Sequence, residues 1–285
     1  MARDATRETI AVLGPGAVGG ALAVPLALAG VRVTCVARPG TAEAIDQDGL
    51  TLRRRGETFR ARPRAVEVLH DRVDLLLVTV KAPALDAALG RIEAEAGTVL
   101  PLLNGLEHLD TIRARLGGRV IAGSIAGLEA YRETPTTIVQ TTGTPLVTAA
   151  GDVSLPGFEV RVLADERALL WEKVARLAPL AAATAATQRP VGDLRADAEW
   201  RGRLAAAVDE ACEVGRADGV SLDASAQWEI IDGMPPGLTT STARDVAAGR
   251  PSELDAIVGS VVRAGTRLGV PTPALAALLE AACAA

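Results

Sequence analysis

Three glycines set the first chemical possibility in this chain. Residues 10–20 read I-A-V-L-G-P-G-A-V-G-G, so Gly14, Gly16 and Gly19 fall at the G-x-G-x-x-G spacing. In that pattern a buried strand turns directly into a helix whose N-terminus can receive a pyrophosphate. Each glycine has a separate task. Gly14 permits the tight turn, Gly16 lets backbone N–H groups approach the phosphates, and Gly19 lets the helix lie close to the strand. Ala17 and Val18, between the second and third glycines, belong to the same cofactor-binding loop. The chemistry implied is the binding of a nicotinamide or flavin dinucleotide.

The next apolar alternation, residues 31–38 (V-R-V-T-C-V-A-R), reads as a β-branched strand ending on Arg38. It lies about 20 residues on, where the fingerprint expects the side chain that reads the adenosine ribose. A carboxylate there would accept hydrogen bonds from the 2′-hydroxyl and point to NAD. A guanidinium instead matches a 2′-phosphate bidentately, which points to NADP. The competing reading of Arg38 is a solvated arginine in a loop.

Residues 10–31 contain no charged side chain, a run long enough for a membrane span or the apolar core of a signal peptide. The break at Gly14-Pro15-Gly16 and the strand that follows at the fingerprint interval argue against both. Pro25 falls inside the expected helix, where it removes a backbone hydrogen bond and should kink it.

The elements that must position these groups divide the 285 residues in two. Up to about Gly151, short Val/Ile/Leu runs at residues 73–80 and 97–103 alternate with Gly/Ala-rich connections, the pattern of a parallel sheet buried on both faces. Residues 121–162 read as further strands, antiparallel in the simplest arrangement, closing that domain. From Asp165 onward, residues 168–186, 200–218, 256–268 and 273–284 carry apolar side chains at helical spacing. The expected fold is an α/β Rossmann-type doubly wound sheet over residues 8–165 followed by an all-α domain over 166–285, with substrate in a cleft between them.

A net charge of −5, with 30 basic and 35 acidic residues mixed along the chain, selects neither nucleic acid nor an anionic membrane as partner. Cys35, Cys212 and Cys283 are far apart with apolar neighbours, and read as buried thiols in a reducing cytoplasm. His70 and His108, the two histidines, do not make a metal site.

Four further segments, in order, extend the pattern: Val80-Lys81-Ala82 and Leu103-Asn104-Gly105 at strand ends, Trp171-Glu172-Lys173 early in a helix, and Arg250-Pro251-Ser252-Glu253-Leu254-Asp255-Ala256-Ile257 opening a later one. With the glycine loop, the chain resembles the ketopantoate reductase (2-dehydropantoate 2-reductase) family, NADPH-dependent enzymes of the 6-phosphogluconate dehydrogenase-like type, over nearly its whole length. The resemblance implies that Arg38 and Lys81 bind the adenosine 2′-phosphate. It places Asn104 near the nicotinamide and the substrate, and Ser241 on the substrate carboxylate. Lys173 is implied as the catalytic lysine, and Glu253 as its acidic partner. A lysine suits the chemistry: hydride delivery to a ketone carbon leaves negative charge on oxygen, which an ammonium both stabilises and protonates.

The residues taken singly admit plainer readings. Lys81 can be a surface lysine closing a strand, Glu172 and Lys173 the exposed face of an amphipathic helix, and Ser252-Glu253 a helix N-terminus. The chain also departs from the family. Leu177, Ala181 and Val258 stand where the family commonly carries asparagine, and Val191-Gly192-Asp193-Leu194 lacks an amide too. Each lost amide removes a hydrogen bond to a small polar acid, and the three apolar residues suggest a roomier pocket. Three functions follow as expectations: reduction of the 2-oxo acid 2-dehydropantoate, reduction of a larger and less polar ketone or imine, or NADPH binding without turnover. The C-terminal helices are a candidate homodimer surface.

Overall fold

The chain from residue 8 to 285 is described by a computed structural model, in which it divides into two compact units. One contains residues 8–103 and His108–Glu166, the other Asn104–Glu107 and Arg167–Ala285. The turn Asn104–Glu107, which follows a strand of the first unit in sequence, thus belongs with the helices.

Ile10 to Leu13 are almost fully buried, as expected of a central parallel strand. This strand, β1 (Thr9–Leu13), leads into α1 (Ala17–Leu28), β2 (Arg32–Val36), α2 (Pro39–Asp48), β3 (Leu50–Arg54), β4 (Glu57–Ala61), β5 (Arg64–Val66) and β6 (Val73–Val78). There follow α3 (Leu85–Leu89), β7 (Ala96–Pro101), α4 (His108–Arg115) and β8 (Arg119–Val120), and then β9 (Gly123–Ala126), β10 (Ala130–Arg132), β11 (Thr137–Gln140), β12 (Leu146–Ala149) and β13 (Glu159–Val162).

The main sheet has six strands in the order β5-β2-β1-β6-β7-β8, and every pairing is parallel. The chain winds one way from β1 through β2 to β5 and the other way from β6 through β8. The reversal lies between β1 and β6, where open α/β sheets bind ligands at their carboxyl ends.

Residues 121–162 do form further strands, as expected, but these do not extend the main sheet. They form two smaller sheets, β10-β11-β3-β4 and β13-β12-β9. Antiparallel pairing holds for β10 with β11 and β9 with β12, but β11 runs parallel to β3 and β13 parallel to β12. The sheet built on the hairpin β3–β4 explains the charge-free stretch. Gly19 of α1 meets β1 and Thr79 on one side, and Gly20 meets Ile138 of β11 on the other. A helix covered by sheets on two sides must be apolar all round, and α1 runs through Pro25 to Leu28 in that setting. Among the described residues no helix is long and apolar enough to cross a membrane.

Apart from the turn Asn104–Glu107, the second unit is built on helices: α5 (Glu166–Thr187), α6 (Val191–Ala196), α7 (Ala198–Ala217), α8 (Ala224–Asp232), α9 (Ser241–Ala247), a π-helical turn at Asp255–Gly259, α10 (Ser260–Leu268) and α11 (Pro273–Ala284). With few aromatics, its core is Ala, Val and Leu around one buried indole. Trp171 lies against Gly215 and donates from Nε1 to Asp218 at 2.8 Å, the partner a buried indole N–H requires. Cys35 and Cys212 are buried, and burial pushes their thiols up to about 12 and about 11. Cys283, expected inside as well, is exposed. Leu275, Leu278 and Ala282 turn the inner face of α11 to the core, and the next residue is rotated away from it.

Candidate active site

In the first unit the glycine loop sits on the sheet's reversal point. Gly14 adopts φ 84° and donates to the Val36 carbonyl at 3.0 Å. A Cβ there would collide with Val80. The Thr79 hydroxyl donates to the carbonyls of Leu13 at 3.0 Å and Gly14 at 2.8 Å, so the end of β6 holds the turn that leaves β1. A Cβ on Gly19 would overlap the Gly14 carbonyl and the Thr79 hydroxyl.

Gly16 is different. The nearest atom to a Cβ built there is the Gly14 carbonyl oxygen, 3.9 Å away, so packing alone does not demand glycine. The space beside it suits the close approach of a ligand to backbone N–H groups. Ala17 and Val18, half-buried, begin α1 immediately after it. Arg38, exposed, lies just past β2 as the N-cap residue of α2. Lys81, also exposed, follows β6 and opens a short 3-10 turn. Two cations therefore stand beyond the carboxyl ends of the two strands that flank β1. This set fits a phosphorylated dinucleotide.

In the helical unit, residues far apart in sequence converge. Lys173 lies in the second turn of α5. Burial pulls its pKa down to about 8; the negative charge of Glu253 opposes the shift and the positive charge of Arg176 adds to it. Glu253 is buried, at 6% exposure. The Asn104 side-chain amide donates to its carboxylate across 3.5 Å. A lysine lowered to about 8 near a buried carboxylate has the properties of a proton donor.

The other expected residues are placed unevenly. Leu177 is half-buried and keeps accessible surface, but Ala181 and Val258 have none and belong to the hydrophobic core. Their small or branched apolar side chains fill the space between helices, so an enlarged apolar pocket has support at Leu177 alone. Ser241 is exposed as the first residue of α9. Its neighbour Thr240 makes the structural contacts, capping α9 through Ala243 N–H at 3.1 Å and sharing a 2.8 Å hydrogen bond with buried Thr184 of α5.

Two arginines lie outside the sequence expectations. Arg176, three residues after Lys173, donates to the Glu172 carbonyl and to buried Gln227 at 3.1 Å. Arg263 bonds both Glu107 and Asp255. A helical i, i+3 spacing from Lys173 could have singled out Arg176. No local signal marks Arg263.

The family model described as "Ketopantoate reductase PanE/ApbA" matches residues 10–153, and that described as "Ketopantoate reductase PanE/ApbA C terminal" matches 165–284. The chain belongs to the ketopantoate reductase PanE/ApbA family. It is 33% identical to the 2-dehydropantoate 2-reductase of Caulobacter vibrioides, covering 96% of this chain and 99% of that protein. The 2-dehydropantoate 2-reductase of Bacillus subtilis is 26% identical, with 92% of each chain covered. Among solved structures, a PanE/ApbA family ketopantoate reductase from Ralstonia eutropha superimposes with a TM-score of 0.85 at 29% identity, covering 97% of both chains. A D-mandelate dehydrogenase solved with NADH and anilino(oxo)acetate shares the fold, with a TM-score of 0.86 at 22% identity and 97% of each chain covered.

Proposed function

We propose that this chain is an NADPH-dependent reductase of a 2-oxo acid, with 2-dehydropantoate the first candidate substrate. The observation that carries the reading is Lys173, a lysine pulled down to about 8 beside the buried carboxylate of Glu253. Family membership and the 2-dehydropantoate 2-reductases among the relatives support the same reaction class.

In this reading residues 8–165 are the cofactor domain and 166–285 the catalytic one. Gly14, Gly16, Ala17, Val18 and Gly19 receive the pyrophosphate, and Arg38 with Lys81 the 2′-phosphate. When bound, NADPH supplies the hydride that adds to the ketone carbon. Lys173 donates a proton from Nζ to the carbonyl oxygen as negative charge develops there, which completes the alcohol and leaves the amine neutral. Glu253 keeps the ammonium charged until that moment and, with Asn104, fixes where it points. Ser241 remains the proposed contact for the substrate carboxylate.

Between an acid and a neutral ketone, Arg176 favours the acid. Its charge and that of Glu253 both act on Lys173, so Lys173, Arg176 and Glu253 together carry one net positive charge, which suits an anion whose carboxylate is bonded directly to the reacting carbonyl. The direct test is steady-state NADPH oxidation with 2-dehydropantoate. Wild type should turn over, and Lys173→Ala should lower kcat by roughly 10²- to 10⁴-fold while NADPH affinity is retained. An unchanged rate in that variant would remove Lys173 from the mechanism.

A further inference from the structure

The bond between Asn104 and Glu253 is long, at 3.5 Å, and cannot by itself hold the two side chains in register. The turns that carry them are joined by other means. Gly105, next to Asn104, has φ 97° and lies so close to the Ala256 carbonyl that any Cβ would overlap it. Leu106 packs on the helical core. Glu107 then meets Arg263 of α10, which donates to it through Nε at 2.9 Å and Nη2 at 2.7 Å. The same guanidinium donates through Nη1 to Asp255, two residues past Glu253, at 2.7 Å, and through Nη2 to the Asp255 carbonyl at 3.3 Å. Glu107 and Asp255 together raise the arginine above its usual range.

The backbone is shaped to admit this contact. Asp255–Gly259 is a π-helical turn. A Cβ on Gly259 would sit 2.6 Å from the Asp255 carboxylate and 2.9 Å from the Arg263 guanidinium. Single-turn π insertions in α-helices recur at functional sites, and here the turn begins two residues after Glu253.

We propose that Arg263 is a positioning residue that sets the Asn104–Glu253 geometry, clamping the turn of one to the turn of the other through Glu107 and Asp255. The inference rests on the proposed reading in which Asn104 and Glu253 serve Lys173. A planar five-donor fork holds Glu107 bidentately while also gripping Asp255, a fixed geometry that the single ammonium of a lysine does not reproduce. Arg263 and Glu107 are half-exposed and Asp255 is largely exposed, so the clamp is screened by solvent and its value lies in placement more than in stability.

The experiment is a kinetic double-mutant cycle on the full chain with NADPH and 2-dehydropantoate. Arg263→Ala should lower kcat about ten- to a hundredfold, leave the KM for NADPH unchanged and be restored only partly by Arg263→Lys. In an Asn104→Ala background the same change should cost less than about twofold, because its route to the reaction is already gone. Full multiplicative losses would overturn the clamp, as would an Arg263→Ala enzyme of wild-type kcat. Loss from Arg263→Ala with no loss from Asn104→Ala would instead overturn the role of Asn104. If Arg263→Ala unfolds, Glu107→Ala, a change at a half-exposed side chain, takes its place in the cycle: a loss that vanishes in the Asn104→Ala background supports the clamp, and a multiplicative loss overturns it.

Discussion

The candidate cofactor site of the first unit is made of backbone. Gly14, Gly16 and Gly19 lie within six consecutive residues, and what they contribute is the absence of side chains: a left-handed turn, an open approach and a close helix–strand contact. The candidate catalytic centre of the helical unit is made of side chains from three distant places, with Asn104 and Glu253 149 residues apart in sequence. The first is a local motif on a rigid sheet. The second exists only once the helices have packed. A change in the first should therefore act on folding or on cofactor binding according to which glycine is touched. A change in the second should act on rate and on its pH dependence.

The largest expected effect separates two jobs within one loop. Gly19→Val drives a side chain into the Gly14 carbonyl, a backbone atom that cannot rotate aside. It should destabilise the protein by about 3 kcal/mol, read as a lowered urea midpoint. Gly16→Ala meets nothing closer than 3.9 Å at φ −81°. It should leave the midpoint in place and weaken NADPH about tenfold, because the methyl occupies the space where phosphate and backbone meet. Equal stability losses in both variants would break the division between a packing glycine and a ligand glycine.

The next effect belongs to the outer edge of the cofactor site. Arg38→Ala should weaken NADPH by about ten- to a hundredfold in a fluorescence titration, the worth of a charge-assisted pair with phosphate, and leave NADH nearly unchanged. Equal losses for the two cofactors would show that Arg38 is a solvated arginine and would remove the phosphate-reading role.

The same contrast decides what the amino-acid sequence could disclose. The glycine loop, the strands at residues 73–78 and 96–101 and the helix Pro273–Ala284 are legible because local periodicity and short spacing define them. The hairpin β3–β4 is not. Arg53, Arg54, Arg55, Arg60 and Arg62 give residues 50–62 the look of a loop, and the parallel partner that covers Leu52 is Ile138, far along the chain. In the helical unit, Lys173 and Glu253 are marked as candidates through a family resemblance that covers nearly the whole chain. Arg263 and Glu107, 156 residues apart, have no such guide, since the π-helical turn that lets them meet depends on tertiary packing. Ala181 and Val258 show the opposite case: the resemblance suggested them as substrate-pocket residues, and here they are buried in the core.

The smallest effect is the most discriminating for the lysine centre, because two substitutions should move one pKa in opposite directions. Lys173 must be protonated to act as the acid, so the rate of reduction should fall as pH rises through about 8. Arg176 disfavours a second positive charge nearby, and Arg176→Gln should carry the alkaline limb of the kcat/KM profile to higher pH. Glu253 favours the ammonium, so Glu253→Gln should carry the same limb to lower pH. Each displacement should be roughly half to one unit, since Lys173 keeps some contact with solvent. Shifts of the same sign would mean that a group other than Lys173 is titrating. No shift in either would return Lys173 to the plain reading, an amphipathic helix with a lysine on its outer face.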